Sequence, residues 1–362
     1  MKPIQIKTPN QNEIDNLNLI LNKLKTSFAN KDLNLFLSIH SFDNLFFKTE
    51  QIRWFEDIVT DEHTITKTEV SSTNKLRIDF LTKNSFGECR ENQATYKLRS
   101  SEKQVLICSL DVQTIASSHG FSISFFRSMH EEITLIEKIV FDILEFFHKR
   151  LNRKLVPQGI HIILFDTPVN LASSIPTDHA YGWYEHLESI KILIPEFIED
   201  KQTYLKKILS HELTHLLLSE ISNDNLALYF QEGFALFLEN WFIHQNNNSI
   251  ESSCSQKKQV NDSLEILEEF DSRLMTFSLL NELRADQGVE IYHQGYLWTN
   301  YLISKYGLSH FLKFVESLCI NNYVNERSLK KFKSNNNLTS AQVKHHFSQV
   351  TFQDIQTFYS LN

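Results

Sequence analysis

Cysteine, proline and glycine are all scarce in this sequence of 362 residues, which holds four, six and eight of them. So little glycine and proline excludes collagen-like and Gly/Pro-rich disordered chains and favours long regular elements, helices above all. Cys89, Cys108, Cys254 and Cys319 lie far apart with no C-x-x-C pair, which argues against a disulfide framework and a thiolate metal knuckle. They read as free thiols in a reducing compartment. No window of ~18 residues is free of charge or strong polarity, and the first twenty residues lack the apolar core of a signal peptide. The expectation is a cytoplasmic protein with no membrane partner. Basic residues are outnumbered, 36 against 44 acidic ones, for a formal charge of −8; nucleic acid is therefore not an expected partner.

What is present points to an α+β fold in two domains. Ile14, Leu17, Leu21, Leu24 and Phe28 recur at helical spacing, and a second short stretch follows in Leu33, Phe36, Leu37 and Ile39, so two helices are expected to open the chain. Four β-rich segments, 64–71, 75–82, 93–99 and 104–110, are separated by polar turns and predict an antiparallel meander. Residues 1–120 form the expected first domain. Its helices and meander, with Phe28-Ala-Asn-Lys-Asp-Leu-Asn-Leu-Phe-Leu as a helix–turn–helix, resemble the cone-shaped nuclear-transport-factor-like fold. That resemblance implies a structural or partner-docking domain and no chemistry of its own.

Residues 121–362 form the expected second domain. Strand 121–126, helix 131–151, strand 159–165 and strands near 180–184 and 189–194 predict a mixed sheet with one covering helix. Beyond Glu199 the apolar spacing is helical almost to the end, with polar breaks at 245–262 and 333–339.

One helical stretch carries chemistry. His211-Glu212-Leu213-Thr214-His215 is H-E-x-x-H within a leucine-rich run, so the two imidazoles project from one face a turn apart and can bind one ion, with Glu212 beside them. A catalytic zinc site takes three protein ligands and keeps a position for water, so a third ligand is required. Glu232, in Tyr229-Phe230-Gln231-Glu232-Gly233-Phe234-Ala235, follows His215 by enough chain to turn and return as a second helix. A carboxylate in so apolar a stretch is costly to bury unless it is paired or holds a metal. Glu239, two turns on, is a competing ligand, an acceptor for a ligand imidazole, or one half of an exposed ion pair.

Together these motifs resemble the gluzincin metallopeptidases, in which H-E-x-x-H is followed by a glutamate ligand in a W-L-x-E-G-x-A-like helix; Tyr229 and Phe230 stand here where that pattern has Trp-Leu. The resemblance spans about residues 121–320. It implies one Zn²⁺ per chain held by His211, His215 and Glu232, a peptide or protein substrate, and hydrolysis by an activated water whose proton passes to Glu212 and then to the leaving amine. Ala180-Tyr-Gly-Trp-Tyr followed by Ser189-Ile-Lys-Ile-Leu-Ile is similar to the substrate-edge hairpin of that family. Tyr292-His293-Gln294-Gly295-Tyr296 resembles its Y-x-x-G segment, which implies an oxyanion donor: Tyr292 first, with Tyr296, His293 and His179 as alternatives. Gly182 and Glu185 match two positions of the aminopeptidases' G-x-M-E-N segment, whose glutamate binds a free α-amino group, while Tyr184 and His186 depart from it. The expected activity is that of an endopeptidase, with an aminopeptidase using Glu185, or a non-catalytic peptide- or partner-binding protein, as alternatives. The sequence sets no oligomeric state.

Overall fold

The leucine spacing of the first segment winds Gln11–Asn30 into helix α1, followed by α2 (Leu33–Leu37), which starts where the Asp32 side chain accepts from Leu35 N–H. A third helix, α3 (Leu45–Thr60), adds to the two expected from sequence. Its inward face includes the buried polar residues Gln51 and Arg53 beside Trp54 and Phe55, which interrupts the apolar stripe by which a helix is recognised. The meander is as expected: β1 (Thr64–Ser72), β2 (Lys75–Lys83), β3 (Cys89–Ser100) and β4 (Val105–Leu110) pair antiparallel in chain order. This computed structural model describes residues 11–42, 44–60, 64–72, 74–83, 89–100, 105–126, 129, 132–175, 180–244, 254–269, 273–283, 288–320 and 329–359.

A second sheet comprises β5 (Gln113–Ala116), β6 (Ser122–Phe125), β7 (His161–Phe165), β8 (Gly182–Trp183) and β9 (Ile190–Leu193), in the order β5-β6-β7-β9-β8. Its centre, β6-β7-β9, is parallel and its two edges are antiparallel, so the sheet is mixed, as the sequence predicts. Helix α4 (Ile133–Phe146) lies between β6 and β7 in the chain, and the short α5 (Pro168–Ala172) follows β7.

The architecture is α+β, in two compact units: Met1–Glu131 with Ile160–Trp183 and Leu187–Phe197, and Glu132–Gly159 with Tyr184–His186 and Ile198–Asn362. The division does not follow a single cut near residue 120, because the core is continuous there. Phe36, Trp54, Phe80 and Tyr96 belong to one apolar cluster with Ile163, Phe165 and Leu193. A buried charge cluster joins the same elements. Arg53 Nη1 lies 2.8 Å from Glu188 Oε1, while Lys191 Nζ lies 2.6 Å from Glu188 Oε2 and 3.2 Å from Glu50 Oε1. Two cations face two carboxylates, so the charges balance out of water.

The second unit is helical. α6 (Lys201–Ser222) begins at Asp200, whose side chain accepts from Thr203 N–H, and ends at Asn223 in the left-handed conformation (φ 54°). α7 (Leu228–Ile243) returns along it, and α8 (Cys254–Glu269), α9 (Phe277–Leu280), α10 (Gly288–Tyr306), α11 (Leu308–Glu316), α12 (Leu329–His346) and α13 (Phe352–Phe358) follow. Two segments read as polar breaks are thus corrected: residues 254–262 lie in α8 and 333–339 in α12, while 245–253 fall outside the described residues. In α12 three polar residues face inward, Asn335, Asn336 and Thr339, while Lys333, Ser334 and Asn337 are exposed. No described helix is long and apolar enough to cross a membrane.

Candidate metal centre

α6 is buried on every side from Leu209 to Ser219, so each polar group in that stretch needs a partner. Its hydroxyls find theirs locally: Ser210 donates to Lys206 C=O and Thr214 to Ser210 C=O. The imidazoles find theirs on α7. His211 Nε2 lies 3.1 Å and His215 Nε2 3.3 Å from the same oxygen, Glu232 Oε2. The other ring nitrogen of His211, Nδ1, is 3.3 Å from Glu239 Oε2. The two rings are 4.9 Å apart at 69°, and one ligand atom from each of His211, His215 and Glu232 falls within 4.8 Å of the others. These three are the group among the described residues able to hold a metal ion.

Glu232 is brought there by an unusually close helix crossing. The following residue, Gly233, packs against Gly295 of α10: a Cβ on Gly233 would stand 2.1 Å from the Gly295 carbonyl carbon, and one on Gly295 1.8 Å from the Tyr229 carbonyl oxygen. Only a bare backbone at both positions allows that approach. One turn before the crossing, the ring of Tyr292 stacks on His211 at 5.9 Å and 20°.

The electrostatics follow from burial and proximity. Burial alone would raise the Glu232 carboxyl, but His215 and His211 outweigh it and hold the group well below the usual carboxylate range. Burial opposes protonation of His211, yet its hydrogen bonds to Glu232 and Glu239 prevail and raise its affinity for a proton. Glu212 is raised by burial against the pull of both histidines, which suits a group that must accept and return a proton. The phenol of Tyr292 is driven far up, first by the charge of Glu232 and then by burial, so it stays protonated and able to donate. Three carboxylates thus surround two imidazoles in a buried place. A divalent cation held by Glu232 and the two imidazoles would offset most of that charge, and would leave His211 Nδ1–H to donate to Glu239.

Of the residues singled out in the sequence, His211, Glu212, His215, Glu232, Glu239 and Tyr292 come together. Tyr296 does not join them: it is fully buried just beyond the crossing, where its hydroxyl meets Asn240. His293 Nδ1 is 3.1 Å from Ser263 Oγ on α8, and His179 lies outside the described residues. Gly182 pairs with Ile192 at the edge of the second sheet. Glu185 is half-buried in the Tyr184–His186 segment of the helical unit. The sequence reading passed over Asn335 and Thr339, which hold the turn between α6 and α7; their i, i+4 spacing on one helix face was the available signal. The sequence matches no family model and no curated protein.

Proposed function

We propose that this chain is a zinc-dependent peptidase. The observation that carries the reading is the convergence of His211, His215 and Glu232 on one point, with the raised carboxyl of Glu212 and the protonated phenol of Tyr292 beside it. Two imidazoles and one carboxylate suit Zn²⁺, whereas Ca²⁺ and Mg²⁺ favour all-oxygen cages. A bound zinc ion supplies Lewis acidity, which makes a water nucleophile accessible near neutral pH.

The chain's own residues do the rest. Glu212 takes a proton from the attacking water and delivers it to the departing amine, base first and acid second. Tyr292 donates its hydroxyl hydrogen bond to the oxyanion as negative charge develops, an interaction worth ~3 kcal/mol in other sites. Glu239 holds the His211 ring through Nδ1, which fixes the tautomer with Nε2 free for the metal. Endopeptidase activity is the first reading; aminopeptidase activity, with Glu185 binding a free α-amino group, is the second.

Elemental analysis of the purified chain is expected to find one zinc, lost in His215→Ala. Glu212→Gln should keep the metal and lose peptide hydrolysis, since it removes the base and no ligand. Undiminished hydrolysis by Glu212→Gln would overturn the reading. Cleavage of one peptide with a free and with an acetylated N-terminus separates the two activities: loss on acetylation selects the aminopeptidase.

A further inference from the structure

Ala227, which precedes α7, has no side chain with which to cap that helix. Its buried N–H is satisfied from elsewhere, by Thr339 Oγ1 of α12 at 2.8 Å. One turn earlier on α12, Asn335 Nδ2 donates to Asp224 C=O at 2.9 Å. Both contacts therefore hold the turn Asn223–Ala227, in which Asn223 and Asp224 take positive φ (54° and 58°) and from which α7 carries Glu232 back to the histidines. Thr339 and Asn335 are 0 % and 8 % exposed, so these bonds lie out of water, where leaving them unmade is costly.

The residues that make them are poor helix formers. Ser334-Asn335-Asn336-Asn337 in the interior of a polar helix favours turns over helix, so α12 depends on its docked contacts for its own conformation. Helix formation in α12 is then coupled to fixation of the α6–α7 turn, which Ser219 Oγ (donating to Asp224 Oδ1, 2.7 Å) and Asn225 Nδ2 (donating to Leu318 C=O, 3.1 Å) also hold.

We propose that α12 is a clamp on the metal group: through Thr339 and Asn335 it fixes the origin of α7, and thereby sets the affinity of His211, His215 and Glu232 for a divalent cation. Thr339 is a positioning residue; it touches no ligand atom. The proposal rests on the metal-centre reading above. Because coupling between two sites is reciprocal, zinc that draws Glu232 toward α6 must also favour docked α12.

The test uses the full chain with zinc as the probe. In wild type, hydrogen exchange measured with and without zinc should slow across residues 335–340 as well as in α6 and α7. By chelator competition, Thr339→Val, which leaves the Ala227 N–H at the origin of α7 buried and unpaired, should bind zinc ~10-fold more weakly, a usual size for coupling between two sites, and Thr339→Ser, which keeps the hydroxyl, should restore it. Zinc protection confined to α6, α7 and α10 overturns the proposal, as does a Thr339→Val chain that holds zinc as tightly as wild type. If that variant does not fold, the exchange result on wild type decides. Failure of zinc to bind at all overturns the metal reading itself and this inference with it, an outcome distinct from zinc bound without response in α12.

Discussion

Gly233 and Gly295 meet backbone to backbone where α7 crosses α10, with no room for a Cβ on either. The contact places Tyr292 over the ring of His211 one turn from the crossing, and Glu232 beside it on the opposing helix. A glycine inside a helix ordinarily destabilises it by roughly 0.5–1 kcal/mol relative to alanine, so an alanine at an open position should help. At Gly295 the sign reverses. Gly295→Ala is expected to cost about 1–3 kcal/mol through overpacking. Gly288→Ala, on the same helix with open space around it, should be neutral or slightly stabilising. Urea unfolding of both variants checks the contrast, and equal effects would rule out the crossing as the cause.

Glu239 offers a second test of the centre. It faces His211 Nδ1, the nitrogen left over when Nε2 faces Glu232. Glu239→Ala is expected to weaken zinc binding about 10–100-fold, the usual range for loss of a carboxylate behind a ligand imidazole. Glu239→Gln keeps an acceptor and should lose less. Chelator competition measures both; zinc affinity unchanged in Glu239→Ala would show that the ring needs no such support.

The candidate metal group was legible in sequence where it is local. H-E-x-x-H defines one face of one helix, and Glu232 stood out as a carboxylate in an apolar stretch, because burial without a partner is costly. The meander and the mixed sheet were legible through alternation and apolar runs. Tyr292 was placed ahead of Tyr296 by the Y-x-x-G resemblance and not by spacing, since both lie on α10 four residues apart; the structure stacks Tyr292 on His211 and buries Tyr296 beyond the Gly233–Gly295 crossing. α3 and α12 were hidden for a shared reason: each turns polar residues inward, Gln51 and Arg53 in one, Asn335, Asn336 and Thr339 in the other, and periodicity registers only apolar burial.

The first unit carries its own pH dependence at His40. This ring is buried among Phe36, Phe42 and Phe47, and burial lowers its pKa from 6.5 to about 4 against a hydrogen bond to Phe36 C=O. Above the unfolded value both states are neutral and stability is full. As pH falls from there toward the folded value, the unfolded chain takes up a proton that the folded chain refuses, so stability declines. At about pH 4.5 the loss from this group should be about 2–3 kcal/mol relative to about pH 7. His40→Phe, which keeps a ring and does not titrate, should narrow the difference between urea unfolding at those two pH values by that amount. An unaltered difference would assign the acid sensitivity elsewhere.

The last prediction concerns the cluster of Arg53, Glu50, Glu188 and Lys191. Glu188 lies just before β9 and Lys191 in it, whereas their partners Arg53 and Glu50 come from α3, more than a hundred residues earlier. Arg53 and Lys191 side chains are 5 % and 1 % exposed, so water cannot replace a missing partner. Removing one member leaves an uncompensated buried charge, which costs about 3–5 kcal/mol. Arg53→Met is expected to lose stability in that range by urea unfolding. A chain beginning at residue 121 loses both α3 partners and the apolar surface of Trp54 and Phe55 at once, so it is expected to be neither folded nor soluble without the first 120 residues. Arg53→Met as stable as wild type, or a folded and soluble 121–362 fragment by circular dichroism and gel filtration, would show that α3 is not what holds β9 in place.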